Sequence, residues 1–477
     1  MRFLLVAYDF PPIPSPQSLR WAYLVNELAA AGHEVHVLTP DIEGYGTGGL
    51  PVPHAGVHVH RVWPGPFSAW RTWRIRRHRV NRIPEIASVD PPAVPGAAIP
   101  QPAALNWKGK LRHSLGQIFR TGPVLAGLAR RCGLELPIGG SLTDLPRAIA
   151  GLWMYPDVRA EWWPWARWKL LRLLARFEPD FVVTSHEPAN SLPLGMLAAR
   201  RGYRWVADLG DPVLSPYTPA RWRKHAEALE RTVCTKADLI TVTAAGARDT
   251  LVRRHGVAPE KFMIATQGHA GDQAGSPENR AVMFDRNRLE LFYTGSFYSF
   301  RTPDELVSAV VRANGVRLSV ASINPPADLI EAARRHPASI RLLGFVPHAT
   351  AVRAQRECDL LVNLANTDPI QVPGKLFEYL GACRPILHIG GSGEDESGKI
   401  VVQTGSGWSL PNNRQAILDF LGEYDKERGE ELMAMREKAK IDEYSWKSVA
   451  HRLVAQLQCM HARAPRAEDP QQYMHGA

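Results

Sequence analysis

Within its first forty residues the chain commits itself to a parallel sheet. An apolar run at 2–7 reads as a buried strand, and a proline-rich loop follows at 8–17. Ser18 is the expected cap of a helix over 19–31, which Gly32 ends. Val35 and Val37 then alternate along a second strand at 34–39. Strand, helix and strand joined this closely form a right-handed βαβ unit, so the fold class is α/β. The same alternation returns with helices over 168–177, 190–201 and 221–236 between strands at 180–185, 205–207 and 239–243. A polar stretch at 270–286 carries Gly, Pro, Asn and Asp and reads as a linker. A second series follows, with strands at 289–294, 316–321, 340–343, 360–363 and 385–389 and helices near 304–313, 326–335, 349–356, 375–382 and 413–424. Two doubly wound, Rossmann-like domains facing a cleft are expected, spanning 1–272 and 273–440. Residues 441–477 should supply a closing helix that packs back on the first domain, then a disordered tail. In such sheets ligands sit beyond the carboxyl ends of the strands.

Composition narrows the class. With 45% apolar and 22% charged residues, the 477-residue chain can bury a sizeable core without disulfide or metal staples. Its five cysteines are far apart, odd in number and without a CxxC pair, which argues against a disulfide framework or a zinc site. The apolar residues at 4–7 stop at Asp9 and a proline cluster, too soon for a signal peptide, and no uncharged run approaches the length of a membrane span. A cytoplasmic protein is expected. The net charge of +10 suits nucleic acid, anionic lipid or phosphorylated substrates, and composition does not choose among them.

Residues 64–160 stand apart as an insertion rich in Arg, Trp and Pro. Arg71, Arg74, Arg76, Arg77, Arg79 and Arg82 crowd beside Phe67, Trp70, Trp73 and Ile75, and Trp153, Trp162, Trp163, Trp165 and Trp168 form a second aromatic group. Two readings stay open: a surface for anionic membrane, or a solvated basic face over core tryptophans. No nucleic-acid-binding fold is visible.

The chemistry concentrates at 372–380. Pro373 and Gly374 open a helix whose free N–H groups suit a phosphate or a sugar hydroxyl. Lys375 falls in its first turn and Glu378 at i+3 on the same side. They are either a phosphate-and-ribose pair or a plain surface ion pair. Upstream, Leu342-Leu343-Gly344-Phe345-Val346-Pro347-His348 ends a strand in a glycine-containing loop, and Cys358-Asp359-Leu360-Leu361-Val362-Asn363 leads into another strand.

With Gly381-Ala382-Cys383-Arg384-Pro385, these stretches resemble the nucleotide half of the family 4 retaining glycosyltransferases of the GT-B fold. Tyr293-Thr294-Gly295-Ser296 resembles that half's first strand and glycine loop. Gly32-His33-Glu34-Val35, His186-Glu187-Pro188, Ala207-Asp208-Leu209-Gly210-Asp211-Pro212 and Tyr444-Ser445-Trp446 look like the family's motifs elsewhere, in the same order. The resemblance covers most of the chain outside 64–160. It implies transfer of a sugar from a UDP- or GDP-linked donor to a glycan or a polyprenyl-diphosphate-linked acceptor in the making of cell-surface or extracellular polysaccharide. It also implies a peripheral place on the inner face of the cell membrane, with no further cofactor. Glu378 matches the second glutamate of the family's acidic pair, whose implied role is to hold the ribose, while Ile370 stands where the first would be. Pro373, Lys375 and Glu378 fit a P-x-K-x-x-E version of the motif.

Donor contacts are then expected from Gly295, Ser296, Phe345, Val346, Val372, Pro373, Gly374 and Glu378, and diphosphate contacts from Arg301 and Lys375. Arg301 equally reads as a solvated charge flanking a helix. In the first domain, Ser15 and Ser18 stand where the family has a glycine-rich phosphate loop. His186 is the candidate active-site histidine, or else a satisfied histidine at a strand end. Asp211 is a second candidate, or else an Asx turn before Pro212. No His, Asp or Cys group has metal-ligand spacing, so no metal is expected. The alternative to an enzyme is a nucleotide-sugar-binding protein on this fold that has lost transfer.

Overall fold

The computed structural model describes residues 1–42, 50–79, 151, 153–271, 284–298, 301–366, 368, 371–390 and 395–462. These form two parallel sheets, each covered by helices. The first has seven strands: β1 (Arg2–Val6), β2 (Glu34–Pro40), β3 (Val57–Val62), β4 (Phe181–Ser185), β5 (Arg204–Gly210), β6 (Leu239–Val242) and β7 (Phe262–Ile264). Their order is β3-β2-β1-β4-β5-β6-β7. The second has six: β8 (Leu289–Thr294), β9 (Val316–Ala321), β10 (Ile340–Leu342), β11 (Leu360–Leu364), β12 (Ile386–Gly390) and β13 (Gly407–Pro411), in the order β10-β9-β8-β11-β12-β13. Each order reverses once, between β1 and β4 and between β8 and β11. Those two places are the topological switch points, where loops diverge and leave a crevice.

The central strands β4, β6, β11 and β12 are buried at every position, so their sequences are mostly apolar or β-branched, with Ser185, Asn363 and His388 as buried polar exceptions. The first core gathers Phe3, Leu5, Trp21, Leu24, Phe181 and Val206. Trp446, Val449, Leu453 and Leu457 of the last helix, Trp446–Ala462, join the same core and pack on the helix Pro16–Ala30. Trp446 stacks on Tyr23 with ring centroids 5.4 Å apart. The chain therefore passes between the two sheets twice, near 268–271 and near 442–446. The crossings are tied together by His269, whose backbone N–H donates to the Tyr444 carbonyl (3.1 Å), while Trp446 N–H donates to the His269 carbonyl (3.0 Å).

One expectation is corrected here. The first helix is capped by Ser15, not Ser18: Ser15 Oγ accepts from Ser18 N at 3.0 Å, and Pro16 occupies the first turn. Proline's fixed φ and missing N–H suit that position and move the helix start three residues earlier. The second tryptophan group is divided. Trp162 is wholly buried in a core with Leu4, Val6 and Leu170, and Trp163 and Trp165 pack against it, while Trp153 and Trp168 are exposed. Residues 66–79 form a helix, Pro66–Arg79, but the side chains of Arg71, Arg74, Arg76, Arg77, Arg79 and Arg82 lie outside the described residues, as does most of 64–160.

A fully buried ion pair locks the first helix to the sheet. Arg20 donates through Nε and Nη2 to the two oxygens of Asp208 (3.1 and 3.0 Å) and through Nη1 to the Thr266 carbonyl (2.7 Å). Trp21 Nε1 and Thr241 Oγ1 supply two more hydrogen bonds to the same carboxylate. Every charge in the group is thus paired and hydrogen-bonded, which is the condition for keeping it buried. The loop before Pro16–Ala30 is thereby fixed against the end of β5.

Candidate active site

The two switch points supply the two halves of the site. On the second sheet, the helix Gly374–Gly381 starts beside the end of β8. Tyr379 Oη accepts from Thr294 N–H (2.8 Å), which fastens the helix to the strand that carries Gly295 and Ser296. Gly295 takes φ +146°, a conformation that favours glycine, and its N–H donates to the Ala321 carbonyl. A Cβ on Gly374 would meet Gln267 Cγ at 3.3 Å, so the helix opens directly against the crossing from the first domain.

Glu378 is the best-held group there. Lys375 Nζ donates to both carboxylate oxygens at 3.0 Å, and Gln355 Nε2 reaches Oε2 at 3.3 Å and Thr294 Oγ1 at 3.3 Å. Burial alone would raise its carboxyl; Lys375, the nearby His348 and these hydrogen bonds outweigh that and hold it below the usual range. The Glu378 side chain is 9% exposed and that of Lys375 34%. Glu378, His348, Arg356, Tyr23, His269 and Trp446 line a small pocket at the domain crossing. Lys375 and Glu378 thus meet each other, as the simpler sequence reading had it, in a place that opens onto both domains.

The remaining donor-side candidates lie around this helix. Val346 and Val372 pack against the core of Leu376 and Phe377, while Phe345 is 61% exposed. Arg301 donates to Asn366 Oδ1, and Asn366 Nδ2 donates to the Gln371 carbonyl, so Arg301 is tied to the loop that leads to Pro373. The Arg301 Nε is buried without a partner. Ile370 lies outside the described residues.

On the first sheet, His186 and Asp211 follow β4 and β5, which are neighbours. His186 is buried; its Nδ1–H donates to the Leu209 carbonyl at 2.9 Å, which fixes the ring with Nε2 as its other nitrogen. A register shift at the end of β5, with Gly210 at φ +67°, turns the chain so that Asp211 follows. Thr243 Oγ1 donates to Asp211 Oδ1 at 3.3 Å. Burial, reinforced by Glu187 and by Asp368 of the second domain, pushes the Asp211 carboxyl up to about 6, with His186 and Thr243 opposing. Asp9, after β1, is raised by burial too, with Glu187 among its neighbours and Ser15 hydrogen-bonded to it. Ser15 is therefore occupied by Asp9 and by the Ser18 N–H, while Ser18 Oγ is buried and unpartnered.

His186, Asp211 and Ser15 are thus brought together on one side of the cleft, and Gly295, Arg301, Lys375 and Glu378 on the other. Asp9, Glu187, Asp368, Gln355 and Tyr379 were not singled out in the sequence. Asp9 and Glu187 carried a readable signal, an acidic residue within three positions of a strand end at the switch point. Gln355 and Tyr379 carried none, since their role is set by packing between distant segments. Among the described residues no group of three His, Cys, Asp or Glu is placed to hold a metal ion, and no helix is long and apolar enough to cross a membrane.

Comparison with known proteins bears on the fold and the family. Residues 131–268 match the sequence model described as Glycosyltransferase Family 4, a stretch that contains β4 to β7 with His186 and Asp211. No curated protein matches the chain in sequence. Among solved structures, HepE of Anabaena in complex with UDP covers 96% of this chain and 100% of its own length, at 11% identity and a TM-score of 0.55. The E. coli trehalose-6-phosphate structure bound with UDP-2-fluoro glucose covers 96% and 99%, at 12% identity and a TM-score of 0.56. A glycosyltransferase from Rickettsia africae covers 97% and 99%, at 10% identity and a TM-score of 0.53. The chain has the GT-B fold, and its match over 131–268 supports a family 4 GT-B glycosyltransferase.

Proposed function

We propose that this protein is a retaining glycosyltransferase that moves a sugar from a UDP- or GDP-linked donor to a glycan or polyprenyl-diphosphate-linked acceptor in cell-surface or extracellular polysaccharide synthesis. The observation that carries the reading is the Gly374–Gly381 helix at the second switch point, with Glu378 held ionised beside it. Glu378 accepts hydrogen bonds from the ribose hydroxyls. The helix N-terminus, Lys375 and Arg301 meet the diphosphate, so no protein-bound metal is required. Gly295 and Ser296 border the phosphates, and Phe345 and Val346 border the base.

In the reaction, the bond from the anomeric carbon to the diphosphate oxygen breaks and a bond to the acceptor oxygen forms on the same face. The acceptor's proton passes to the leaving diphosphate oxygen. His186, through Nε2, and Asp211 lie on the first-domain side, where the transferred sugar and the acceptor meet. The exposed Trp153 and Trp168, the latter under Arg172 at 3.8 Å, support a peripheral contact with an anionic membrane on the inner face.

Glu378→Ala should weaken nucleotide binding by about 1–3 kcal/mol, the loss of a charged hydrogen-bond partner. Unchanged affinity by calorimetry would refute the ribose assignment. A mass-spectrometric screen of nucleotide sugars with acceptors should show release of UDP or GDP. Tight binding with no turnover across the panel would instead mark a binding protein, and sugar conversion without an acceptor an epimerase.

A further inference from the structure

The loop after β8 is held by a side chain from the neighbouring strand's loop. β8 and β9 end side by side, with Thr294 opposite Ala321. Asn324, three residues past β9, engages both polar groups of the Phe297 backbone. Its Oδ1 accepts from Phe297 N–H at 3.2 Å, and its Nδ2 donates to the Phe297 carbonyl at 2.6 Å. A carboxamide carries one acceptor and one donor edge side by side, so this match fixes which way the amide faces. Ser322, itself buried, holds the amide in turn: its Oγ donates to Asn324 Oδ1 (3.2 Å) and accepts from Asn324 N–H (3.4 Å). Pro325 disfavours a helical backbone at Asn324.

The groups around Ser296 are fixed as well. Gly295 N–H donates to the Ala321 carbonyl at 3.1 Å, and Tyr293 Oη donates to the Ser296 carbonyl at 3.3 Å. The Phe297 ring is buried and stacks on Tyr293 with centroids 4.8 Å apart. Among the described residues, the N–H and the hydroxyl of half-buried Ser296 meet no partner. The loop thus keeps one backbone donor and one hydroxyl for a ligand at the end of β8, beside the second switch point. A loop ordered beforehand spares the ligand the entropy of ordering it. We propose that Asn324 is a positioning residue for the donor diphosphate: by clamping Phe297 it sets the Ser296 N–H and hydroxyl to donate to a phosphate oxygen. This rests on the nucleotide-sugar reading above and adds the residue that shapes its phosphate loop.

The test uses the full chain. UDP and GDP are titrated by calorimetry, and uridine and guanosine by ligand-observed NMR. Asn324→Ala should bind the preferred diphosphate about five- to thirtyfold more weakly, the cost of fixing one residue's backbone on binding. Affinity for the matching nucleoside should stay unchanged. Asn324→Leu, which removes the same hydrogen bonds while keeping the bulk, should show the same selective loss. Because Asn324 is exposed, both variants should fold, and their melting temperatures are measured on the same preparations. Diphosphate affinity equal to that of the unmodified protein overturns the proposal. So do equal losses for diphosphate and nucleoside, which would make Asn324 a support of the domain as a whole. Failure of both UDP and GDP to bind the unmodified protein refutes the nucleotide-sugar reading itself, and the proposal with it.

Discussion

Replacing Asp211 by asparagine should stabilise the fold while slowing the reaction. The Asp211 carboxyl titrates at about 6 in the folded protein, against an ordinary value near 4. The folded chain therefore holds this proton more tightly than the unfolded chain does. Stability falls as pH rises from about 4 to about 6, and above that the ionised group carries the full cost. Two units correspond to about 3 kcal/mol, an upper limit because solvent still reaches part of the side chain, so about 1–3 kcal/mol is expected at neutral pH. Asparagine removes the charge and keeps an oxygen for the Thr243 hydroxyl. At pH 7.5, Asp211→Asn should raise Tm by about 1–2 °C per kcal/mol recovered. At pH 3.5, below both values, the gain should nearly vanish, and at pH 5 about half of it should remain. Calorimetric melting of both proteins at these pH values measures this, with turnover followed on the same preparations. A lower Tm for the variant at pH 7.5, or a gain of equal size at pH 7.5 and pH 3.5, would refute the account of a carboxylate held ionised against burial and neighbouring charge.

His186→Ala should lower kcat by about ten- to a thousandfold with little change in donor affinity, if Nε2 helps the transition state more than the bound substrate. A lower Tm with near-normal turnover would instead show that the Leu209 hydrogen bond is the whole of its role. Arg20→Met leaves the Asp208 carboxylate buried without its cation and should cost about 3–5 kcal/mol in denaturant unfolding; a loss under about 1 kcal/mol would mean that Trp21 and Thr241 suffice to hold the charge. Turnover should survive dialysis against excess EDTA, and complete loss restored by magnesium would show that Lys375, Arg301 and the helix N-terminus do not neutralise the diphosphate alone.

The sheets were legible wherever a strand is buried on both faces. Phe181–Thr184 and Leu360–Val362 are continuous apolar or β-branched runs, and such runs mark central parallel strands. The strands that went unread are β3, β7 and β13, each at the edge of its sheet. β3 interleaves Val57, Val59 and Val62 with His58, His60 and Arg61, because one side of an edge strand is partly solvated and no apolar run is needed. The site was legible to the same depth. A residue after a central strand, such as His186 or Asp211, follows from topology alone. The Gln355 bridge between Thr294 and Glu378 does not, since three segments far apart in sequence must first pack.

On the proposed reading, the pairing of Lys375 with Glu378 would serve a binding site. Their ion pair spans one helical turn with the lysine about a third exposed, so it contributes no more than about 1 kcal/mol. The two partners are not equally held. Glu378 keeps Gln355 and faces His348 whatever the lysine does, whereas no other hydrogen bond holds the Lys375 ammonium among the described residues. A diphosphate oxygen offers the ammonium a charge-assisted hydrogen bond worth about 1.5–3 kcal/mol. Moving the lysine from carboxylate to phosphate is therefore favourable by about a kcal/mol or more, and it frees both Glu378 oxygens for the ribose at the same moment. On this account, phosphate and ribose recognition are linked: Lys375→Met should weaken binding of a nucleoside diphosphate far more than binding of the bare nucleoside. Equal losses for the two ligands would mean that the lysine acts only by holding Glu378 in place.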